Sequence, residues 1–460
     1  MKQRTKQFIL FTGDVIILYS SLYLALVVRW SKYSESFNIN IFIKHILPFT
    51  ILYLIWLIIF FITDLYNPKI IKNVKELFVK LFNITLINAS IATAFFYLFP
   101  LFTIKPKINL FLTLIISSTF IILWRIICNQ IIYPSYKKNN ILFVNINNSF
   151  LTLKNIDNYI SFGYKIKAVI LDKDKMSQEI KKILENKKIK IYQDPKNIKK
   201  IIQENYINTI IVNDNLYQNI SPELYELIYI DVDIYDFSTF WEEFNQSIPI
   251  SSTNKIWFLN NLKNSKKNTY ESIKRIIDII FSLLFGIISL IFYPFIFLGI
   301  ITTRGSIFYR QKRVKRNNKI FKIIKFRTMF LDSEQNGAQW AKKNDSRVTK
   351  FGKFLRETRL DELPQLWNIL KGEMSFIGPR PERPEFIKRL SEQIPHYNLR
   401  HLIKPGLTGW AQVKYSYGSS VNDSQEKLCY DLYYLKNRTP LLDINIILKT
   451  IATVLSRKGY

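Results

Sequence analysis

Two adjacent carboxylates, Asp361 and Glu362, are the residues of this 460-residue chain whose type and position best support chemistry. They stand just before a predicted amphipathic helix, whose apolar stripe would be formed by Leu363, Leu366, Trp367, Ile369 and Leu370. Because Pro364 is tolerated only in the first turn of a helix, the acids belong at the N-terminus, where their ionised form is stabilised. Such a pair can bind a divalent metal, and one member can attack phosphorus to give an aspartyl ester. Taken alone, two acids that open a helix more often only cap it.

Cations that could hold a phosphate flank this pair in the sequence. Arg356 precedes it, and Arg380 follows it within the turn GPRP at residues 378–381. Pro379 and Pro381 would fix the backbone of that turn and therefore the position of the arginine between them. Arginine is well suited to bind phosphate oxygens in a defined geometry.

A second basic segment lies upstream, where the sequence KFRTM follows alternating apolar and basic residues. A strand-rich hairpin over residues 306–329 would bury its apolar side chains and leave Lys325 and Arg327 available. These two cations could neutralise a diphosphate and hold it in line for transfer. For the cations between 310 and 319 we favour a simpler role as membrane-surface anchors.

The first third of the chain predicts a membrane bundle over residues 1–136. Apolar stretches occur at 8–28, 46–63, 81–104 and 108–132, each close to the roughly 20 residues that a helix needs to cross a bilayer. We therefore expect four transmembrane helices. The distribution of basic residues places both ends of this bundle in the cytoplasm. Asp14, within the first span, either faces the interior of the bundle or is solvated near the helix end.

Residues 137–262 predict an α/β domain with a parallel, Rossmann-like sheet. Short β-rich runs at 141–146, 165–170, 188–192, 209–214 and 231–237 alternate with polar helical stretches. The turn after the first run, at residues 147–149, contains no glycine, although a glycine-rich turn is needed to bind dinucleotide phosphates there. We therefore expect a structural or regulatory role for this domain. The missing glycine-rich turn also argues against a sugar-nucleotide dehydratase or epimerase.

A charge-free run at residues 279–301 returns the chain to the membrane, within a predicted helix over 276–303. Basic residues on both sides of the run fit a segment that enters and leaves by one face better than they fit a spanning helix. Pro294 lacks a backbone donor, so it can break the helix where the chain turns back. We expect a re-entrant hairpin, with a kinked fifth span as the alternative.

The charge and residue composition of the chain limit the classes of molecule that it is expected to bind. The formal net charge of +30, combined with long apolar spans, favours anionic lipids or anionic substrates over nucleic acid. The two cysteines, Cys128 and Cys429, lie far apart and form neither a disulfide framework nor a metal cluster. The apolar spans lack the inverted-repeat pattern of a transporter.

The motifs of the C-terminal part, taken in order, resemble the bacterial sugar transferase family. RQKRV, KFRTM, LDELPQLWN, GEMSFIGPRP and KPGLTGWAQV follow a proline-containing apolar hairpin. The resemblance covers residues 271–460, and the bundle with the middle domain is similar to the long form of this family. Members are phosphoglycosyl transferases, which attach a sugar-1-phosphate to a polyprenyl phosphate. The resemblance implies a C-terminal α+β catalytic domain, held by the re-entrant hairpin on the cytoplasmic face of the bacterial inner membrane.

The resemblance also implies roles for individual residues. Asp361 would be the nucleophile and Glu362 its partner, with Mg²⁺ held by the two, and Lys325, Arg356 and Arg380 would bind phosphate. The implied reaction moves a sugar-1-phosphate from a UDP-sugar to polyprenyl (undecaprenyl) phosphate through an aspartyl-phosphosugar intermediate, with release of UMP.

The implied process is the first membrane step of exopolysaccharide, capsule, O-antigen or glycoprotein glycan assembly. UDP-sugar, polyprenyl phosphate and anionic membrane lipids are the expected partners, with no nucleic acid, and a homodimer is compatible with the resemblance. A non-catalytic membrane scaffold or regulator of polysaccharide assembly is the alternative function.

Overall fold

The computed structural model describes most of the chain in separate ranges. These are residues 3–30, 38–63, 65–66, 74–98, 107–131, 139–144, 164–171, 178–193, 197–213, 225–251, 253, 255–262, 268–302, 305–330, 345–415, 418 and 420–455. The chain divides by its internal contacts into two compact units. The first comprises residues 1–212 and 218–235, and the second comprises residues 213–217 and 236–460. The predicted domain boundaries themselves stay predictions.

The first unit begins with four long helices, which confirm the four predicted membrane segments. They are α1 (Gln3–Trp30), α2 (Ile39–Ile62), α3 (Val74–Leu98) and α4 (Lys107–Ile131). Among the described residues, each contains an apolar segment of 21 to 24 residues, which is long enough to cross a membrane. Large side chains such as Phe49, Tyr53 and Trp56 fill the core between them.

A buried ion pair joins α1 to α4. Arg125 Nη2 donates to Asp14 Oδ2 over 2.6 Å, and both side chains are fully buried. Of the two alternatives for Asp14, the structure therefore selects the bundle interior. A charge within a membrane segment is costly unless it is paired, so each of these groups makes the other tolerable.

An α/β region completes the first unit. Its strands are β1 (Asn139–Val144), β2 (Tyr164–Ile170), β3 (Lys190–Tyr192), β4 (Thr209–Val212) and β5 (Asp233–Asp236), so every predicted β-rich run contributes one strand. Their order in the sheet is β3-β2-β1-β4-β5, and β1 pairs in parallel with both β2 and β4. Helices α5 (Gln178–Asn186) and α6 (Ile198–Asn205) lie between strands in the sequence. The glycine-free turn at 147–149 lies outside the described residues.

The second unit is rich in helices and contains two small sheets. Its elements are α7 (Phe237–Asn245), α8 (Lys255–Leu262), α9 (Asn268–Ser289), α10 (Tyr293–Ile301), β6 (Phe308–Val314), β7 (Ile320–Phe326), α11 (Lys350–Glu357), α12 (Gln365–Leu370), β8 (Ser375–Ile377), α13 (Pro384–Gln393), β9 (Gly406–Thr408), α14 (Trp410–Lys414), α15 (Val421–Asn437) and α16 (Pro440–Leu455). Strands β6 and β7 pair antiparallel, whereas β8 and β9 pair in parallel.

The main core of the second unit includes residues that the sequence groups with the middle domain. Ile248, Ile250 and Phe258 pack in one apolar cluster with Trp410 and Leu432. The segment from 236 to 262 therefore belongs by its contacts to the C-terminal unit.

Helices α9 and α10 form the predicted broken apolar segment. Their axes differ by 61°, an arrangement that fits either a broken span or a re-entrant loop. Pro294 lies in the first turn of α10, where a missing N–H needs no partner. The break itself comes just before it, after Ser289, whose hydroxyl donates to the Gly286 carbonyl oxygen over 2.7 Å. Side chains at the bend, such as Ile291 and Phe295, are 67% and 71% exposed.

The ion pair in the bundle gives a prediction for stability. Arg125→Met or Asp14→Leu alone leaves the other charge buried without its partner, which costs about 3–5 kcal/mol for buried pairs. We expect both single variants to unfold at lower temperature in detergent micelles, and the double variant to recover most of the loss. A double variant as unstable as the sum of the two single changes would show that the groups are not coupled.

Candidate active site

Asp361 and Glu362 lie in a short 3₁₀ turn over Leu360–Glu362, between α11 and α12. Arg359, with φ of 59°, turns the chain sharply at the end of α11. Pro364 then occupies the N-cap position of α12. The two acids therefore precede the helix in a turn of their own, and both side chains are buried.

Glu362 is held by two cations from distant parts of the sequence. Lys325 Nζ, near the end of β7, donates to Glu362 Oε1 over 2.7 Å. Arg380 Nη2, after β8, donates to the same oxygen over 3.0 Å. Lys325 and Arg380, which the sequence predicts to bind phosphate, are thus both paired with Glu362.

Asp361 has a different environment. Its side chain is only 6% exposed, and its Oδ1 atom has no hydrogen-bond partner among the residues that the structure describes. Burial raises the pKa of Asp361 to about 6, although Lys325 opposes the rise. For Glu362, burial also favours the neutral form, but Lys325 and Arg380 outweigh it and hold the pKa well below its usual range. Adjacent carboxylates with pKa values pushed apart are typical of a site in which they have different tasks.

Arg356 approaches the acids from α11. Its Nε donates to Thr328 Oγ1 over 2.9 Å, which fixes the guanidinium beside the segment that follows β7. The positive charges of Arg356 and Arg359 both lower the pKa of Asp361. Arg356 therefore contributes to the local positive field without a direct bond to either carboxylate.

The turn that carries Arg380 is held from several directions. The Gly406 N–H donates to the Pro379 carbonyl oxygen over 2.9 Å, and Arg313 Nη1 donates to that of Pro381 over 2.9 Å. Arg400 Nη2 donates to the Arg380 carbonyl oxygen over 3.0 Å. These bonds fix the backbone on both sides of the arginine, as the two prolines predict.

Gly378 makes the close approach behind this turn possible. A Cβ atom at this position would lie 2.4 Å from the Lys404 carbonyl oxygen, which is closer than any real contact. The N–H of Gly378 donates to the Thr408 carbonyl oxygen over 2.9 Å, so β8 can continue its pairing into the turn.

The side chain of Arg327 is directed towards α10. Its Nη2 donates to the Ile300 carbonyl oxygen over 3.4 Å, near the C-terminal end of α10, and its own N–H donates to the Ile307 carbonyl oxygen. These contacts connect the segment after β7 to the end of α10 and to the residues that follow it. The phosphate-binding role expected for Arg327 stays a prediction.

Sequence reasoning missed a positioning residue, Asn368. Its Oδ1 accepts from the Ile324 N–H over 3.1 Å, and its Nδ2 donates to the Lys322 carbonyl oxygen over 2.9 Å. Asn368 thereby pairs with the free edge of β7 and fixes the strand that carries Lys325. The predicted apolar stripe of α12 is wrong at Trp367, which is 54% exposed, because the helix turns the buried Asn368 towards the strand. Asn368, the amide within the apolar run LWNIL, was the available signal.

The carboxylates fit part of a magnesium site. A buried Asp361 Oδ1 with no partner among the described residues is the type of oxygen ligand that Mg²⁺ accepts. Glu362 Oε1 already receives two cationic donors. No group of three or more His, Cys, Asp or Glu side chains that could hold a metal occurs among the described residues. Mg²⁺ commonly completes such a site with water and substrate phosphates.

Comparison with known proteins identifies the family. A family model described as bacterial sugar transferase matches residues 269–457. A putative undecaprenyl-phosphate N-acetylgalactosaminyl 1-phosphate transferase of Bacillus subtilis is 48% identical over 136 residues, which are 29% of this chain and 76% of that protein. The chain therefore belongs to the bacterial sugar transferase family, which confirms the resemblance of its motifs.

Two longer relatives match in part. The UDP-N-acetylgalactosamine-undecaprenyl-phosphate N-acetylgalactosaminephosphotransferase of Aeromonas hydrophila is 47% identical over 155 residues, covering 34% of this chain and 37% of that protein. An undecaprenyl-phosphate galactose phosphotransferase of Salmonella typhimurium is 33% identical over 231 residues, covering 47% and 48%. The chain thus spans less than half the length of each of these two relatives.

The pKa values of Asp361 and Glu362 are shifted in opposite directions, so removing the two charges should have opposite effects on the stability of the protein. Because folding raises the pKa of Asp361 above its usual 3.8 to about 6, its charge destabilises the fold above pH 6. Asp361→Asn should therefore stabilise the protein at pH 8, by up to about 3 kcal/mol. This gain should shrink as the pH falls from 6 towards 4, where the native carboxyl is also neutral.

Glu362→Gln should instead destabilise the protein at pH 8, because the low pKa of Glu362 reflects favourable pairing of its charge. Thermal unfolding across this pH range measures both effects, with the exposed Glu357→Gln as a control for charge alone. Equal loss of stability from Asp361→Asn and Glu362→Gln would contradict the unequal environments.

Proposed function

We propose that this chain transfers a sugar-1-phosphate from a UDP-sugar to polyprenyl phosphate, of the undecaprenyl type, and releases UMP. The main support for this proposal is that the two carboxylates have different hydrogen-bonding environments. Glu362 is engaged by two cations, whereas Asp361 keeps an oxygen without a partner among the described residues. The names of the relatives, which combine undecaprenyl phosphate with transfer of a sugar phosphate, support the same reaction.

In the first step, a carboxylate oxygen of Asp361 attacks the phosphorus that bears the sugar. The Asp361 O–P bond forms while the bond from that phosphorus to the UMP oxygen breaks, and UMP leaves with the electron pair. A carboxylate with a raised pKa is a stronger base than an exposed aspartate, and this basicity favours attack.

In the second step, an oxygen of polyprenyl phosphate attacks the same phosphorus. The bond to Asp361 breaks, so the carboxylate is restored and polyprenyl-diphospho-sugar is formed. Water must not reach the ester between the steps. The burial of Asp361 and the apolar cluster around Leu360 and Leu363, which includes Ile296 and Ile300 of α10, support such protection.

The cations near Asp361 are of two kinds: two pair with Glu362, and one does not. Glu362 holds Lys325 and Arg380 beside Asp361, where they can bind the donor diphosphate, and Arg356 adds positive charge from α11. Mg²⁺, when bound, would be held by Asp361 and Glu362 together with the donor diphosphate, and would neutralise charge on the leaving group.

We further propose that α9 and α10 form a re-entrant hairpin. The first arm is tied to the second unit, since Asp278 Oδ1 accepts from Ser375 Oγ and from the Phe376 N–H, each over 3.1 Å. The second arm packs on the same unit, where a Cβ at Gly299 would lie 2.3 Å from the Phe351 ring. One compact unit that holds both arms favours entry and exit by a single membrane face. That face is the cytoplasmic side of the bacterial inner membrane, where UDP-sugars are available.

The middle sheet has the strand order and parallel pairing expected of a Rossmann-like domain, and we propose a structural or regulatory role for it. The reaction would be the first membrane step of exopolysaccharide, capsule, O-antigen or glycoprotein glycan assembly. The relatives' names include both N-acetylgalactosamine and galactose, so the donor is proposed as a class.

Purified full-length protein with undecaprenyl phosphate and Mg²⁺, screened against a panel of UDP-sugars, tests the proposed reaction. At least one donor should release UMP, and release should depend on the lipid over many turnovers. Asp361→Asn should reduce the rate by about 10³-fold or more, because an amide cannot replace the nucleophile. Glu357→Gln, a change of an exposed carboxylate on the neighbouring helix, should retain the wild-type rate.

Two results would contradict this assignment. Near-normal turnover by Asp361→Asn would exclude Asp361 as the nucleophile. A folded wild-type protein that releases no UMP from any donor would favour the non-catalytic scaffold.

The re-entrant hairpin predicts that the first turns of α9 and the residues after α10 lie on one side of the membrane. Cysteines at Ser272 and Ser391, both exposed in the second unit, can be introduced after Cys128 and Cys429 are replaced by alanine. A membrane-impermeant thiol reagent should label both positions in inverted vesicles and neither in intact cells. Labelling of Ser391→Cys alone in intact cells would mean that the segment spans the membrane.

A further inference from the structure

A cationic cavity of about 70 Å³ lies at the foot of α9, apart from the two carboxylates of the candidate active site. Five basic residues line it: Lys274, Arg275, Arg316, Lys404 and Arg438. Since a single water needs roughly 10–15 Å³ of such space, the cavity has room for a group the size of a phosphate.

The acidic groups near this cavity are already engaged. Glu271 pairs with Arg316 over 3.0 Å and with Arg438 over 2.9 Å. Asp443 pairs with Lys274 over 3.0 Å. Asp278, the remaining acid in the lining, accepts from Ser375 and Phe376. The acids therefore leave part of the basic charge uncompensated.

Lys404 carries that excess charge. It forms no hydrogen bond or salt bridge within the described part of the chain, although it is partly buried. A Cβ atom at Gly372 would lie 3.5 Å from Lys404 Nζ and 3.4 Å from Arg275 Cζ, so the two cations flank the same point. Burial lowers the pKa of Lys404, and the charges of Arg275 and Arg316 lower it further, against the opposing effects of Asp278 and Glu271. An anion between these cations would relieve their repulsion.

Arg275 is fixed in a position that suits this task. Its Nη1 and Nη2 atoms donate to the carbonyl oxygens of Ile369 and Leu370, each over 2.6 Å, at the C-terminal end of α12. The guanidinium is therefore positioned by the fold before any ligand arrives, which reduces the entropy lost on binding.

The position of the cavity indicates where its anion comes from. Ile273, Ile276 and Ile277 of α9 are exposed beside Lys274 and Arg275, at the start of the hairpin that carries the apolar bend. Acyl chains could lie along this apolar surface while a headgroup phosphate enters the cavity. Basic pockets next to membrane helices are suited to anionic lipid headgroups.

The cavity is distinct from the site around Asp361. Arg316 lies in the turn between β6 and β7, whereas Lys325 lies at the other end of β7. Lys319, which ends that turn, and Lys325 are six residue steps apart, and at about 3.3 Å per step they lie about 20 Å apart along β7.

We propose that this cavity binds the phosphate of an anionic membrane phospholipid, with Lys404 as the principal contact. The bound headgroup would hold the foot of α9 at the membrane surface and would bridge α9 to the loop before β9. This site does not depend on the proposed transfer reaction.

Binding of short-chain phosphatidylglycerol to the full-length protein in a neutral detergent tests the proposal. Native mass spectrometry and the shift in unfolding temperature report the binding, with phosphatidylcholine of the same chain length and inorganic phosphate as separate probes. We expect saturable binding of phosphatidylglycerol, and Lys404→Gln should weaken it about 10-fold or more, as expected for loss of a charged hydrogen bond. Lys404→Arg should retain most of the affinity.

Lys388→Gln, which removes an exposed lysine from α13, is the matched control and should bind as wild type does. Equal affinities of wild type and Lys404→Gln would overturn the site. Equal binding of phosphatidylcholine and phosphatidylglycerol would overturn the requirement for an anion. Saturation by inorganic phosphate without a response to phosphatidylglycerol would assign the cavity to a soluble phosphate and overturn the lipid source.

Discussion

The site depends on one buried contact, in which Glu362 Oε1 accepts from both Lys325 and Arg380. This carboxylate joins strand β7, the 3₁₀ turn and the turn after β8, which lie far apart in the sequence. It also keeps two cations next to Asp361 without neutralising Asp361 itself. Removing one partner of such a pair leaves an uncompensated buried charge, so the three charged side chains depend on one another. Supporting bonds from Asn368 to β7, and from Arg313 and Arg400 to the proline-bounded turn, hold the cations in place.

The bent apolar helix pair, α9 and α10, belongs to the same arrangement. Ile296 and Ile300 of α10 pack with Phe326, next to Lys325, and with Leu355 of α11. Helix α11, which precedes the turn that carries the two acids, therefore packs directly on α10. For an enzyme that uses a soluble donor and a lipid acceptor in turn, as proposed above, this packing would place Asp361 at the boundary between the two phases.

The parts that sequence predicts well are those set by local pattern. Apolar runs of membrane length gave the four helices, and β-rich runs gave each strand of the middle sheet. Pro294 indicated where the apolar segment is broken, because a proline fixes its own φ and lacks a backbone N–H in any context. Long-range pairing was harder to predict. Nothing local indicates that Arg327 turns towards α10 while Lys325 turns towards Glu362. Trp367 was expected inside and is exposed, because the edge of β7 selects Asn368 as the buried neighbour.

Mass spectrometry tests directly whether Asp361 forms the proposed covalent bond to the sugar phosphate. Purified protein is exposed briefly to its UDP-sugar and Mg²⁺ without polyprenyl phosphate, and the peptide that contains Asp361 is analysed. We predict that this peptide gains the mass of one sugar phosphate, that addition of polyprenyl phosphate removes it, and that labelled UMP exchanges into the UDP-sugar. Absence of both adduct and exchange, in a preparation that still releases UMP when lipid is present, would contradict the account and favour direct attack by the lipid phosphate.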